Sequence, residues 1–132
     1  NCTKDVKVIE FAQKFNLSVN TDLTWAIYEA IGNTTTYTKI FSKTATVSPN
    51  EASLYSTGAI SVDLKNGRKY LFLTAWNGSR TFFDGANVLT HPINVGFGTS
   101  FAGHTGNNLI PDELVSPAEN VYVYNQQIKF VE

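Results

Sequence analysis

ISVDLKNGRKYLFLTAW, residues 60–76, decides how this chain is read. Ile60, Val62 and Leu64 alternate with Ser61 and Asp63, the two-residue period of a strand with one face in the core. Asn66-Gly67 follows, a dipeptide that readily adopts the positive φ angles of a two-residue hairpin turn. The returning run from Tyr70 to Trp76 is apolar on both parities, with Leu71, Leu73 and Ala75 set against Tyr70, Phe72 and Trp76. A tight antiparallel hairpin is expected. Its second arm should be a central strand covered on both sides or capped by a loop.

The same period extends outward. Leu23, Trp25 and Ile27 alternate with Thr24, Ala26 and Tyr28. Tyr37, Phe41, Ala45 and Val47 share one parity in the next run, against Thr36, Thr38, Thr44 and Thr46. Gly32-Asn33 between these runs suits a hairpin. Ile9, Phe11 and Phe15 share parity near the start of the chain, as do Tyr122, Tyr124, Ile128 and Phe130 near its end. These two long strands are expected to pair side by side. No run carries a helical stripe with start and stop signals. The expectation is an all-β fold, an antiparallel β-sandwich of jelly-roll or Greek-key type with about eight strands, formed by residues 1–132 as one module.

Composition agrees with that class. The chain of 132 residues is 42% hydrophobic but only 16% charged, with two Trp, six Tyr and nine Phe. Polarity comes largely from Thr, Asn and Ser, which suit strand faces and hydrogen-bonding loops. The net charge is −1 and the cations are scattered, so nucleic acid is not an expected partner. No apolar run approaches the ~20 residues that cross a bilayer as a helix. The absence of Met leads us to expect a module excised from a larger secreted protein. Cys2 is the only cysteine, so it cannot form a disulfide within the chain. It is expected to be a frayed terminal residue, with a bond to an upstream cysteine or lipidation as the functional alternatives.

Catalytic patterns are not evident. His91 precedes Pro92 and His104 lies in a Gly-rich stretch, and neither sits in a nucleophile–base pattern. Asp63, Asp84, Asp112, Glu113 and Glu119 have no spacing that selects a pair for glycoside hydrolysis. The expectation is therefore a protein that is not an enzyme and needs no cofactor. A structural calcium on Asp84 or Asp112 with loop carbonyls is left open. Gly96-Phe97-Gly98 lacks the helix and lysine of a phosphate loop. Thr36, Thr38, Thr44 and Thr46 are read as an ordinary solvated sheet face.

Aromatic residues offer a recognition chemistry, since Tyr and Trp rings can stack on the CH face of a sugar. Between Trp76 and Pro117 the sequence turns rich in Gly and Pro, the texture of loops that form binding surfaces. Trp76, Asn77, Arg80, Phe82, Phe83 and Asp84 form its densest group of aromatic and planar polar residues. With Asn87, His91, His104, Asn107 and Asn108 they make the candidate ligand-contacting surface.

TDLTWAIYEA at 21–30, YTKIFSKTATV at 37–47 and LYSTGAISVDLKNGRKYLFLTAW at 54–76 together resemble the accessory β-sandwich domains of secreted bacterial hydrolases and surface proteins. These domains include carbohydrate-binding modules. The resemblance implies a non-catalytic module, secreted or at the cell surface, that binds a glycan or cell-surface ligand. Its alternative implication is a structural or protein-interaction domain contacting neighbouring domains of the parent protein.

Overall fold

The computed structural model describes residues 1–50, 53–77, 89–104 and 110–132, together with the backbone of 80–82. Its strands in chain order are β1 (Val6–Leu17), β2 (Thr21–Ala30), β3 (Thr36–Val47), β4 (Ser53–Ser56), β5 (Val62–Leu64), β6 (Lys69–Trp76) and β7 (Arg80–Phe82). They continue with β8 (Ile93–Asn94), β9 (Thr99–Ser100), β10 (Gly103–His104), β11 (Glu113–Val115), β12 (Glu119–Asn120) and β13 (Gln126–Val131). All pairing between these strands is antiparallel, and no helix occurs among the described residues. The fold is thus all-β. The strands outnumber the eight expected because the later ones are pieces of only two or three residues, too short to leave a period in the sequence.

β1 is the spine of the first sheet. β13 pairs with its Lys7–Gln13 portion and β7 with Phe15–Leu17. The opposite edge is shared by β5 at Val6–Val8 and β4 at Ala12–Phe15. The pairing expected of the two terminal runs is therefore present over Gln126–Val131, while Tyr122 and Tyr124, expected in the same long strand, lie outside β13. A register shift between Val8 and Glu10 moves the apolar set from one parity to the other, as an extra residue in one strand must. Val6 and Val8 are buried before it, and Phe11, Phe15 and Leu17 after it. Ile9, expected to share the face of Phe11, is only half-buried for this reason.

The second sheet runs β11-β3-β2-β6. Leu23, Trp25 and Ile27 of β2 pack against Val8, Phe11, Phe15 and Leu17 of β1 in two adjoining clusters. Phe41, Ala45 and Val47 of β3 and Phe72 of β6 pack on the same clusters. The two sheets thus share one apolar interior, where each fully buried large side chain contributes about 1.5–3 kcal/mol. Trp25 adds a polar tie across it, its Nε1 donating to the Tyr55 carbonyl oxygen of β4 at 3.1 Å.

On the far face of β2, Ala26 and Tyr28 join Leu71 under Tyr37, Leu73, Ile110 and Leu114. The Tyr28 hydroxyl donates to the Pro111 carbonyl at 2.7 Å, and Lys39 Nζ meets the Ile110 carbonyl at 3.3 Å. Segment 110–115 covers that face. Tyr37 lies here and not with Phe41, because Ile27 pairs with Phe41 while Tyr28 pairs with Lys39, which leaves Ile40 as an extra residue. The same shift breaks the expected threonine row.

β6 corrects two expectations. It closes the edge of its sheet instead of lying centrally, and its partner is β2. β5 belongs to the other sheet, so Asn66-Gly67 is not the turn of a hairpin between β5 and β6. The turn itself exists, with Gly67 at φ 79° and Arg68 N donating to Lys65 O at 3.3 Å. Cys2 intrudes where hairpin bonds would continue: Gly67 N donates to Cys2 O at 3.0 Å, and Cys2 N donates to Arg68 O at 2.9 Å. Asp5 also holds the turn, accepting from Asn66 N at 2.8 Å. Cys2 itself is 3% exposed and packs in the core, so it is not frayed. By contrast, the Gly32-Asn33 hairpin forms as expected, joining β2 to β3.

Candidate functional site

Trp76 ends β6 opposite Leu23 of β2, with Thr24 opposite Ala75. Strand alternation sends Trp76 inward, where its ring stacks on Phe15 at 5.2 Å between centroids. Thr24 and Ala75 consequently lie on the opposite face of the sheet, Thr24 half-buried and Ala75 buried. With Asp22, Trp76 and Asn77 they line a shallow, open depression of about 170 Å³.

Hydrogen bonds order its rim. Asn77 Oδ1 accepts from Asp22 N at 3.3 Å. The Thr46 hydroxyl donates to Asp22 Oδ1 at 2.5 Å, and the Thr24 and Thr44 hydroxyls lie 2.8 Å apart. The result is a patch of hydroxyl, carboxamide and carboxylate groups on β2, on β3 and just past the end of β6, with their positions fixed by the ladder beneath. Such groups can exchange hydrogen bonds with a polyhydroxylated ligand.

Trp76 and Asn77, neighbours in sequence, both line the depression, with the Trp76 ring stacked on Phe15, and the histidines lie elsewhere. His91 stands before the β8–β9 hairpin, which is tied through Cys2 to Arg68, next to the other end of β6. Its ring joins two segments, Nδ1 lying 3.2 Å from the Ser100 carbonyl oxygen and Nε2 3.1 Å from that of Tyr122. A neutral ring donates to one of them, according to its tautomer. His104, on β10, is half-buried, with Nε2 3.9 Å from Glu119 Oε1. Burial pushes its pKa down, Glu119 pulls it back up, and the neighbouring His91 adds to the lowering.

Arg80 and Phe82 belong to β7 by backbone, paired with Leu17 and Phe15. Phe83, Asp84, Asn87, Asn107 and Asn108 lie outside the described residues. Asp112, the other carboxylate considered for calcium, meets Lys39 Nζ at 2.9 Å. No group of three or more potential metal ligands occurs among the described residues.

Sequence reasoning missed Asp22 and Thr24. Their signal was present, since Thr24 had been placed on the face opposite Leu23 and Trp25, but nothing local showed that β6 would deliver Asn77 beside them. Phe101 and Tyr122, 58% and 39% exposed, were also passed over as candidate contacts. No family model matches this chain, and neither a curated protein nor a solved structure matches it.

Proposed function

We propose that this chain is a non-catalytic recognition module of a secreted or cell-surface protein, built as a β-sandwich, and that it binds carbohydrate. The observation that carries the reading is the depression at Asp22, Thr24, Ala75, Trp76 and Asn77. Its rim offers hydroxyl, carboxamide and carboxylate groups close together on rigid strands, a suitable surface for the hydroxyls of a sugar. An open, shallow site also fits an extended polysaccharide better than a small metabolite, which favours an enclosing pocket. The Asp22 carboxylate accepts the Thr46 hydroxyl, a positioning arrangement that supports binding more than proton transfer. The sandwich reading is supported by the apolar interior shared between the sheets of β1 and β2.

A glycan array followed by calorimetry tests this reading. Binding to at least one polysaccharide is expected, weakened about tenfold or more by Asn77→Ala with the fold retained. Failure to bind any glycan across the array contradicts it.

Exposed apolar side chains favour a second reading, a structural or protein-interaction domain. Val115 is 70% exposed and Val121 is 78% exposed. That reading predicts that Val115→Ser and Val121→Ser impair assembly of the parent protein while leaving glycan affinity unchanged.

A further inference from the structure

The first residues of the chain act as an inserted strand. Cys2 exchanges backbone hydrogen bonds with the Gly67-Arg68 turn on one side. On the other side, Thr3 N donates to Phe97 O at 2.9 Å and Thr99 N donates to Asn1 O at 2.9 Å. Alternate residues therefore bond to opposite neighbours, as in the interior of a sheet. The fit is close: a Cβ on Gly98 would lie 2.0 Å from the Asn1 carbonyl oxygen and 3.0 Å from Cys2 Cα.

The neighbour on this side is the β8–β9 hairpin, whose Ile93 pairs with Ser100. From Ser100 the connection continues through His91 in its Nε2-protonated tautomer, the Ser100 hydroxyl lying 3.4 Å from Nδ1 and Nε2 donating to the Tyr122 carbonyl oxygen at 3.1 Å. Tyr122 is part of an aromatic group, its ring 5.9 Å from that of Tyr124. Phe101, next to Ser100, is 58% exposed. An unbroken set of hydrogen bonds and strand pairs thus runs from Thr3 to the loop that carries Tyr122.

We propose that residues 1–3 form a strap that sets the position of these loops: when it is seated, β9 is held and His91 fixes the Tyr122 loop; when it lifts, both are released. The device is separate from the depression at Asn77 and does not depend on glycan binding there.

Amide hydrogen exchange followed by NMR tests it. In the unaltered chain, the Thr3, Gly67 and Thr99 amides should be protected. Gly98→Ala should accelerate exchange at all three by about tenfold or more, the scale of one net hydrogen bond, and should shift the Asn120 and Tyr122 resonances. Trp25 and Leu71, in the second sheet, should keep their protection. Thr3→Pro removes the donor to Phe97 without adding bulk at Gly98, and it should accelerate exchange at Gly67 and Thr99 and shift Asn120 and Tyr122 in the same way if Gly98→Ala fails to fold. His91→Ala should shift Tyr122 while Thr3 and Thr99 stay protected. The proposal is overturned if Thr3 and Thr99 are unprotected in the unaltered chain. It is equally overturned if either strap variant frees the Thr99 amide while Asn120 and Tyr122 do not respond.

Discussion

Gln126 reaches from β13 to the backbone of Phe72 on β6, its Nε2 donating to the Phe72 carbonyl oxygen at 3.0 Å. The same nitrogen donates to Gln13 Oε1 at 3.0 Å, and Gln13 is 4% exposed. One carboxamide thus ties the edge of the second sheet to the spine of the first. An edge strand with free carbonyls is a template for intermolecular pairing, and this side chain occupies one of them. Gln126→Leu should cost about 1–3 kcal/mol, because it leaves the Gln13 oxygen buried without this donor. Denaturant unfolding measures the loss, and light scattering should show increased self-association.

The Trp25 indole donates to the Tyr55 carbonyl at 3.1 Å in a buried setting. Trp25→Phe keeps most of the apolar volume but removes the donor, so about 1–3 kcal/mol should be lost. Trp25→Ala adds a cavity and should cost about 3–5 kcal/mol. Chemical denaturation of the two variants separates the hydrogen bond from the packing.

Glu29 is the hub that fixes the turn between the sheets. It accepts from Arg68 Nη1 at 3.0 Å and from the Tyr70 hydroxyl at 2.7 Å, while that hydroxyl accepts from Lys65 N at 2.7 Å. Burial, with the bond to Glu29 added, raises the Tyr70 pKa. Its phenol therefore stays protonated throughout the physiological range. Tyr70→Phe should cost about 1–2 kcal/mol and leave near-neutral pH dependence unchanged. A rise in Lys65 amide exchange is the local signature.

His104 contributes a pH dependence of known sign. Burial lowers its pKa from 6.5, so the unfolded chain binds the proton more readily than the folded one. Its contribution to stability is fully present above pH 6.5 and is lost as pH falls through and below that value. His104→Gln should flatten the stability profile in this window. Thermal unfolding at a series of pH values, with and without the substitution, measures the difference.

The fold class was legible because Leu23, Trp25 and Ile27 keep a strict period and face one core. The Gly32-Asn33 turn was legible for a similar reason, since it joins runs that pair with each other. The register shifts at Ile9 and Ile40 were not, because an extra residue in a strand shows only against its partner. The Asn66-Gly67 turn misled in a specific way. Its local chemistry is that of a hairpin, but Cys2 and Asp5, distant in sequence, take the bonds that would join its arms. Of the candidate site, Trp76 was read as a ring available to a ligand, but strand alternation stacks it on Phe15, and the surroundings of Asn77 were not legible. Asp22 and Thr24 join them only through the pairing of β2 with β6.

The central claim, carbohydrate recognition at the depression beside β6, is tested most directly by NMR titration of the isotope-labelled chain with a panel of soluble oligosaccharides. The account predicts saturable shifts at Asp22, Thr24, Ala75 and Asn77 with at least one sugar, lost in Asn77→Ala. Titrations that leave those resonances unmoved, or that move only residues on the sheet of β1, contradict it.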